Sequence, residues 1–321
     1  MIRALGICFS LLLTATLSSA QQSNEIHVLK VQGNIYMLVG AVGNIGVQIS
    51  SDGVLMVDTG SAQMTDQVLA TVNQLAKPIT NKPLRFILNT HFHPDHTGGN
   101  QKARAAGTTI TGGNVAGNIQ DAAEGAAIFA HENVMKRMSA PTGSQAPTPS
   151  GGWPTDTYYG DSQELFFNGE AIQMFHPKSA HTDGDSIVFF RRSDVVLTGD
   201  IFMTTNYPII DLQNGGSING LIDALNLILD ITIPADKQEG GTMVIPGHGR
   251  LCDEADVVEY RDMVTIIRDR IQDMIKKGMT LEQVKAAKPT RDYDPLYGSA
   301  TGFWTTDMFV EAVYKSLSAK K

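Results

Sequence analysis

Three histidines and an aspartate fall within six residues, His91-Phe92-His93-Pro94-Asp95-His96, directly after the apolar run Arg85-Phe86-Ile87-Leu88-Asn89. That run reads as a buried strand. In an extended stretch successive side chains alternate, so His91 and His93 face the same side. A turn around Pro94 then presents Asp95 and His96 toward a neighbouring point. The chain is thereby constrained to a fold that brings further ligating groups to the end of one strand. Imidazole and carboxylate without thiolate suit Zn²⁺, Fe or Mn²⁺.

The 321 residues carry 25 Lys+Arg and 33 Asp+Glu, a net charge of −8, and only 18% of them are charged. An average soluble domain has about 25%. This balance argues against an extended disordered chain and against a nucleic-acid partner, which would call for a basic face. Met1 to Ala20 has one charged side chain, Arg3, then an apolar stretch from Leu5 to Leu13 and small residues at Ser18-Ser19-Ala20. That is the pattern of a secretory signal peptide. Cleavage after Ala20 would leave residues 21–321 as a periplasmic or secreted protein with no membrane attachment. Cys8 lies within the signal and Cys252 stands alone in the rest, so no disulfide framework forms within one mature chain. Nothing around Cys252 lowers its pKa toward a nucleophilic thiolate.

Short β-rich runs at His27–Val31, Ile35–Val39, Ile45–Ile49 and Val54–Val57 are separated by Gly-containing turns and read as an antiparallel meander. Helical patterns cover Ala62 to Leu75 and the Ala-rich segment Asn118 to Met138. Pro141 to Gly160 reads as a long loop containing Trp153, Tyr158 and Tyr159. Loops of that length are commonly lids, so these aromatics either contact a substrate or anchor the loop to the core. A second meander follows at Leu165–Phe167, Ala171–Phe175, Ser186–Phe190 and Val195–Thr198. Helices are then expected at Ser217–Leu229, Asp253–Lys277, Leu281–Ala287 and Thr306–Leu317. The two halves echo each other, which favours one domain of strands sandwiched by helices.

Three later positions each follow the end of an expected strand: His181 in Ala180-His181-Thr182, Asp200 in Thr198-Gly199-Asp200, and His248 in Pro246-Gly247-His248-Gly249. Taken with the first cluster, in that order, they make the chain resemble the metallo-β-lactamase superfamily of binuclear metallohydrolases over about residues 26 to 250. The resemblance implies an αββα sandwich, of mixed α/β class, with the C-terminal helices appended. It implies two divalent metal ions, Zn²⁺ first and Fe or Mn²⁺ as alternatives. His91, His93 and His181 would hold one, Asp95, His96 and His248 the other, and Asp200 would bridge them. Asp58, in Val57-Asp58-Thr59-Gly60, matches the family's early strand-end Asp, which supports the metal loop without binding metal. His176, five residues before His181, is a further candidate for a supporting role.

A metal pair lowers the pKa of a shared water and supplies a hydroxide nucleophile without a catalytic Ser or Cys. Asp95 would orient that hydroxide or take its proton. The expected activity is hydrolysis of a small-molecule ester, lactone, thioester or amide. The bridging carboxylate at Asp200 departs from the pattern of true β-lactamases, so β-lactam hydrolysis is an alternative, as is an iron-dependent oxygenase or metal-binding accessory protein of the same fold. Tyr207 and Asp211, soon after Asp200, are expected in the pocket wall.

Overall fold

The computed structural model describes residues 25–109, 125–140 and 148–319. Residues 1–20, read as a signal peptide, lie outside them. Seven strands form the first sheet in sequence order: β1 (His27–Lys30), β2 (Ile35–Val39), β3 (Ile45–Ser50), β4 (Gly53–Val57), β5 (Leu84–Leu88), β6 (Ala127–His131) and β7 (Asp156–Tyr158). β1 to β4 are an antiparallel meander, and β4 to β7 run parallel. The second sheet has the order β12-β11-β10-β9-β8, from β8 (Ser162–Phe167), β9 (Glu170–Phe175), β10 (Ile187–Phe190), β11 (Val195–Leu197) and β12 (Met243–Ile245). Only β11 and β12 are parallel there.

The helices are α1 (Thr65–Ala76), α2 (Pro94–Thr97), α3 (Asn100–Ala106), α4 (Glu132–Ser139), α5 (Ile218–Ile231), α6 (Glu254–Lys276), α7 (Leu281–Ala287), α8 (Asp294–Tyr297) and α9 (Thr306–Ser318). Strand alternation explains the layers. On β4, Leu55 and Val57 face the other sheet and meet Ile172, Met174, Val188 and Leu197. Val54 and Met56 point the opposite way, onto Val68 and Val72 of α1. The outer face of the second sheet, with Ile187, Val196 and Val244, is covered by Leu221 and Leu225 of α5, Tyr260 and Val264 of α6, and Phe309 and Val313 of α9. Each face of each sheet thus buries its own apolar set, and the αββα sandwich is observed.

Two expectations about local structure are corrected. The helix expected over Asn118–Met138 is, where described, strand β6 followed by α4, which starts only at Glu132 with His131 as its N-cap; residues 118–124 lie outside the described set. Its Ala127–His131 stretch is largely buried on both faces within parallel pairing to β5 and β7. Doubly covered parallel strands lack an alternating pattern, and the sheet overrides alanine's helical propensity. In the expected loop of 141–160, residues 141–147 are not described. The remainder forms a turn of 3-10 helix at Ser150–Gly152 and the edge strand β7.

Parallel register brings the functional ends together. Val57 of β4 pairs with Leu88 of β5, and Leu197 of β11 with Ile245 of β12. The segments after these four strands carry Asp58, His91, Asp200 and His248.

Candidate metal centre

After β5 the chain does not stay extended as expected but bends at Thr90, His91 and Phe92; His93 is extended, and Pro94 opens the single turn of α2 that carries Asp95 and His96. Proline suits this first helical position because its missing N–H would have no intrahelical partner there. Gly199 allows the turn after β11: its φ is +51°, and a Cβ would lie 2.7 Å from Thr90 Oγ1. Gly247 is required by proximity, since a Cβ there would collide with the Asp200 carboxylate.

Two ligand groups result: His91, His93, His181 and Asp200, and Asp95, His96, His248 and Asp200. In each, one nitrogen or oxygen per residue lies within 4.8 Å of all the others. Asp200 belongs to both through different oxygens. Its Oδ1 is 3.1 Å from His96 Nε2 and 3.3 Å from His248 Nε2. Its Oδ2 is 4.0 Å from His91 Nε2 and 3.9 Å from His181 Nε2. Asp95 Oδ2 lies 3.2 Å from His248 Nε2.

The outward nitrogen of every imidazole is tied down. His96 Nδ1 lies 2.8 Å from Asp58 Oδ2, His93 Nε2 3.1 Å from Asp211 Oδ2, His181 Nδ1 2.7 Å from the Ile209 carbonyl, and His248 Nδ1 3.1 Å from the Val42 carbonyl. These partners only accept, so each outward nitrogen donates. For His91 the partner is Thr90 Oγ1 at 3.0 Å. That hydroxyl spends its own proton on Asp58 Oδ2 at 2.7 Å, which leaves it to accept from His91. In the neutral ring all five inward nitrogens then carry lone pairs, the arrangement by which metal-ligating histidines are oriented.

These residues fit divalent metal. His91 Nε2 and Asp200 Oδ1 are buried and make no hydrogen bond. His93 Nδ1 and His181 Nε2 face each other at 3.0 Å. Such atoms are costly to bury without a common cation. Electrostatics agrees in part. Burial, with His96 next, holds His91 well below the ordinary imidazole range, and burial with His93 lowers His181 to about 4. Burial opposes protonation of His248 too, but Asp200 and Asp95 outweigh it and raise the ring to about 9. Burial likewise works against ionisation of Asp200, and His96 and His248 overcome it to keep the carboxyl well below its usual range. Protons and metal thus compete for the His248 side of the centre.

The centre forms the floor of a cavity of about 750 Å³, walled by Val42, Gln63, Asn206, Ile209 and Phe303. The aromatics expected in its wall are elsewhere. Tyr158 is buried in β7 and bonded to Ser186 Oγ at 2.7 Å, and Tyr207 is buried, its one hydroxyl proton shared between Asp294 Oδ1 at 2.9 Å and Thr290 O at 3.1 Å. Trp153 donates to the Thr148 carbonyl and packs against the cluster of Ala130, Val134 and Met138, as Phe92 does. Tyr159 is exposed and does not line the cavity. Core packing therefore claims Trp153 and Tyr158, the anchoring alternative. His176 has no contact with the ligand set: its Nδ1 donates to the Asp185 carbonyl and its ring stacks on His131. Asp211, expected in a pocket wall, lines a cavity adjoining this one and also holds His93. Cys252 is buried and pushed up to about 12 by burial and Asp256, which suits neither a nucleophile nor a ligand. Neither Thr90 nor Phe303 belongs to a motif that the sequence marks as functional. Thr90 adjoins the His cluster, but Phe303 lies 55 residues beyond His248 with no local motif to mark it.

The family model described as the metallo-beta-lactamase superfamily matches residues 38–248, which contain every ligand above. The chain belongs to this superfamily. A linear primary-alkylsulfatase of Pseudomonas sp. (strain ATCC 19151) is 22% identical over 275 residues, covering 76% of this chain and 50% of the relative. Among solved structures, the inverting sec-alkylsulfatase Pisa1 from Pseudomonas sp. superposes with a TM-score of 0.61 at 16% identity, covering 90% of this chain and 50% of the other. The DIM-1 metallo-β-lactamase gives 0.52 at 19% identity, covering 75% of this chain and 97% of the other. The structural likenesses establish the fold. The superfamily chain spans about half the length of the alkylsulfatases it matches.

Proposed function

We propose that the protein is an exported, metal-dependent hydrolase of a small uncharged acyl substrate: an ester, lactone, thioester or amide. The observation that carries this reading is the sharing of Asp200 between two convergent ligand groups at the floor of an open cavity. His91, His93 and His181 would hold one ion, Asp95, His96 and His248 the second, with Asp200 common to both. Divalent ions held there supply Lewis acidity and water ionised near neutral pH. The chain's own groups do the rest. Asp95, the more exposed of the two carboxylates, faces the cavity. It orients the attacking water and accepts its proton. Asp58 and Asp211 hold His96 and His93 so that the inward nitrogens do not rotate away. Val42, Ile209 and Phe303 give the cavity an apolar wall beside the reacting atoms.

A sulfate ester is a second reading, favoured by the alkylsulfatase relatives. Against it, no Lys or Arg among the described residues lines the cavity to meet a permanent anion. The test is elemental analysis of the purified protein coupled to a panel of p-nitrophenyl esters, lactones, thioesters, alkyl sulfates and β-lactams. Two ions per chain with acyl-ester turnover abolished in Asp95→Ala supports the proposal. Preferential alkyl-sulfate turnover replaces it with the second reading. One iron per chain with oxygen consumption overturns both. Export is checked by the mass of the periplasmic or secreted form, which should begin at Gln21.

A further inference from the structure

A second cavity, of about 420 Å³, adjoins the one over the metal centre. His93, Ile209 and Phe303 line both. Beyond this shared wall the second cavity continues along Leu212, Trp304 and Met308. Its size falls in the range of small-molecule sites, about 300–1,000 Å³. Phe303 is 82% exposed and Met308 43%. Two large apolar side chains left in water beside a reactive centre are an unfavourable arrangement unless something apolar covers them. Half of this wall, with Phe303, Trp304 and Met308, comes from the segment leading into α9 and from α9 itself, outside residues 38–248 that match the superfamily.

The far end is charged. Glu311 accepts from Lys315 at 2.7 Å and from Lys285 at 2.6 Å. These pairs close the apolar path, so a chain long enough to pass them gains nothing further. The cavity thus meets His93 with its partner Asp211 where it adjoins the metal centre, runs along the apolar Leu212, Trp304 and Met308, and also touches the polar Gln213, Glu311 and Lys315.

We propose that this second cavity is a specificity arm that receives an unbranched apolar chain of the substrate, with Phe303 as the residue that sorts substrates by that chain. The proposal rests on the hydrolase reading and names its substrate class: a medium-chain acyl or alkyl ester. Each buried methylene contributes transfer free energy equivalent to about a fourfold gain in binding. An interaction made equally in ground and transition states appears in KM and leaves kcat unchanged.

The experiment compares p-nitrophenyl esters from acetate to decanoate on the native protein, Phe303→Ala and Met308→Lys, with calorimetric titration of 1-octanol alongside. The readout is the ratio between successive chain lengths within each variant, which a general loss of activity does not move. The native protein should gain about fourfold in kcat/KM per methylene, through KM, up to a plateau. Both variants should fall below about twofold, and Met308→Lys should lose octanol binding. Equal increments in all three proteins overturn the arm, as does hydrolysis with a flat profile, which leaves the hydrolase reading standing. Octanol binding that Met308→Lys abolishes, with no ester turned over, supports the arm and overturns the ester as the substrate class.

Discussion

His96 Nδ1 donates to Asp58 Oδ2 across 2.8 Å, and this bond ties the end of β4 to the metal-binding turn after β5. The same carboxylate accepts from Thr90 N at 2.8 Å and Thr90 Oγ1 at 2.7 Å. Through Thr90 it reaches His91, so one buried aspartate orients a ligand in each of the two groups. Asp58 itself sits at φ +62°, a backbone region that Asp and Asn tolerate better than other side chains.

Asp58→Asn keeps that backbone compatible but replaces one oxygen with an amide NH₂. Whichever way the amide turns, it meets a donor, since both carboxylate oxygens are accepting now. Metal affinity should fall about 10–100-fold. Competition with a chromophoric chelator measures it, and an unchanged affinity would show that Asp58 does not orient the ligands.

Removal of metal should lower stability as well as activity. The centre buries Asp200 and three of the five histidines, His91, His96 and His181, with orphaned polar atoms among them, and an ion that binds only the folded chain stabilises it by mass action, about 4 kcal/mol at 1,000 times Kd. Dialysis against a strong chelator should lower Tm, and added Zn²⁺ should restore it. A Tm indifferent to both treatments would mean that the residues do not form a metal site.

A second buried carboxylate holds the two sheets together. Glu170 on β9 accepts from Gln48 of β3 at 2.6 Å, from Ser193 Oγ and N at 2.8 and 2.9 Å, and from Arg192 N at 3.0 Å. Glu170→Ala leaves several donors unpaired and should cost about 3 kcal/mol of stability. Urea denaturation reads the change; a loss under about 0.5 kcal/mol, within the range of ordinary surface substitutions, would mean that water replaces the carboxylate at no cost.

How far the sequence discloses this arrangement depends on how local each signal is. The His91–His96 cluster, the meanders and the helices expected after residue 217 follow from short-range spacing and alternation, and the structure shows them. The family order of strand ends carries His181, Asp200 and His248 to the same place. Ala127–His131 was misleading because a strand covered on both faces has no period to read. Trp153 and Tyr158 look like pocket residues in a Pro- and Gly-rich stretch, yet Trp153 fills a small cluster beside α4, and Tyr158 pairs with His131 at the sheet edge. Phe303 reaches the cavity only through the packing of α9 on the second sheet, a long-range relationship with no local mark.

His131 and His176 stack with ring centroids 3.5 Å apart and planes 9° from parallel, away from the metal ligands. Burial, with His176 next, lowers His131 to about 4, and burial lowers His176 as well. An unfolded histidine titrates near 6.5. Above that pH both states are neutral and the pair does not affect stability. As pH falls from 6.5 toward 4 the unfolded chain takes up protons that the folded chain refuses, so stability declines, by up to about 1.4 kcal/mol per pH unit for one group. His131→Asn keeps an acceptor at the N-cap of α4, where His131 Nδ1 receives Asn133 N, and removes the titrating ring. The variant should lose less stability than the native protein between pH 6.5 and 4.5, and the difference between the two urea-denaturation curves isolates this pair from acid effects on the metal centre. Parallel curves would show that His131 takes up its proton equally well in the folded chain.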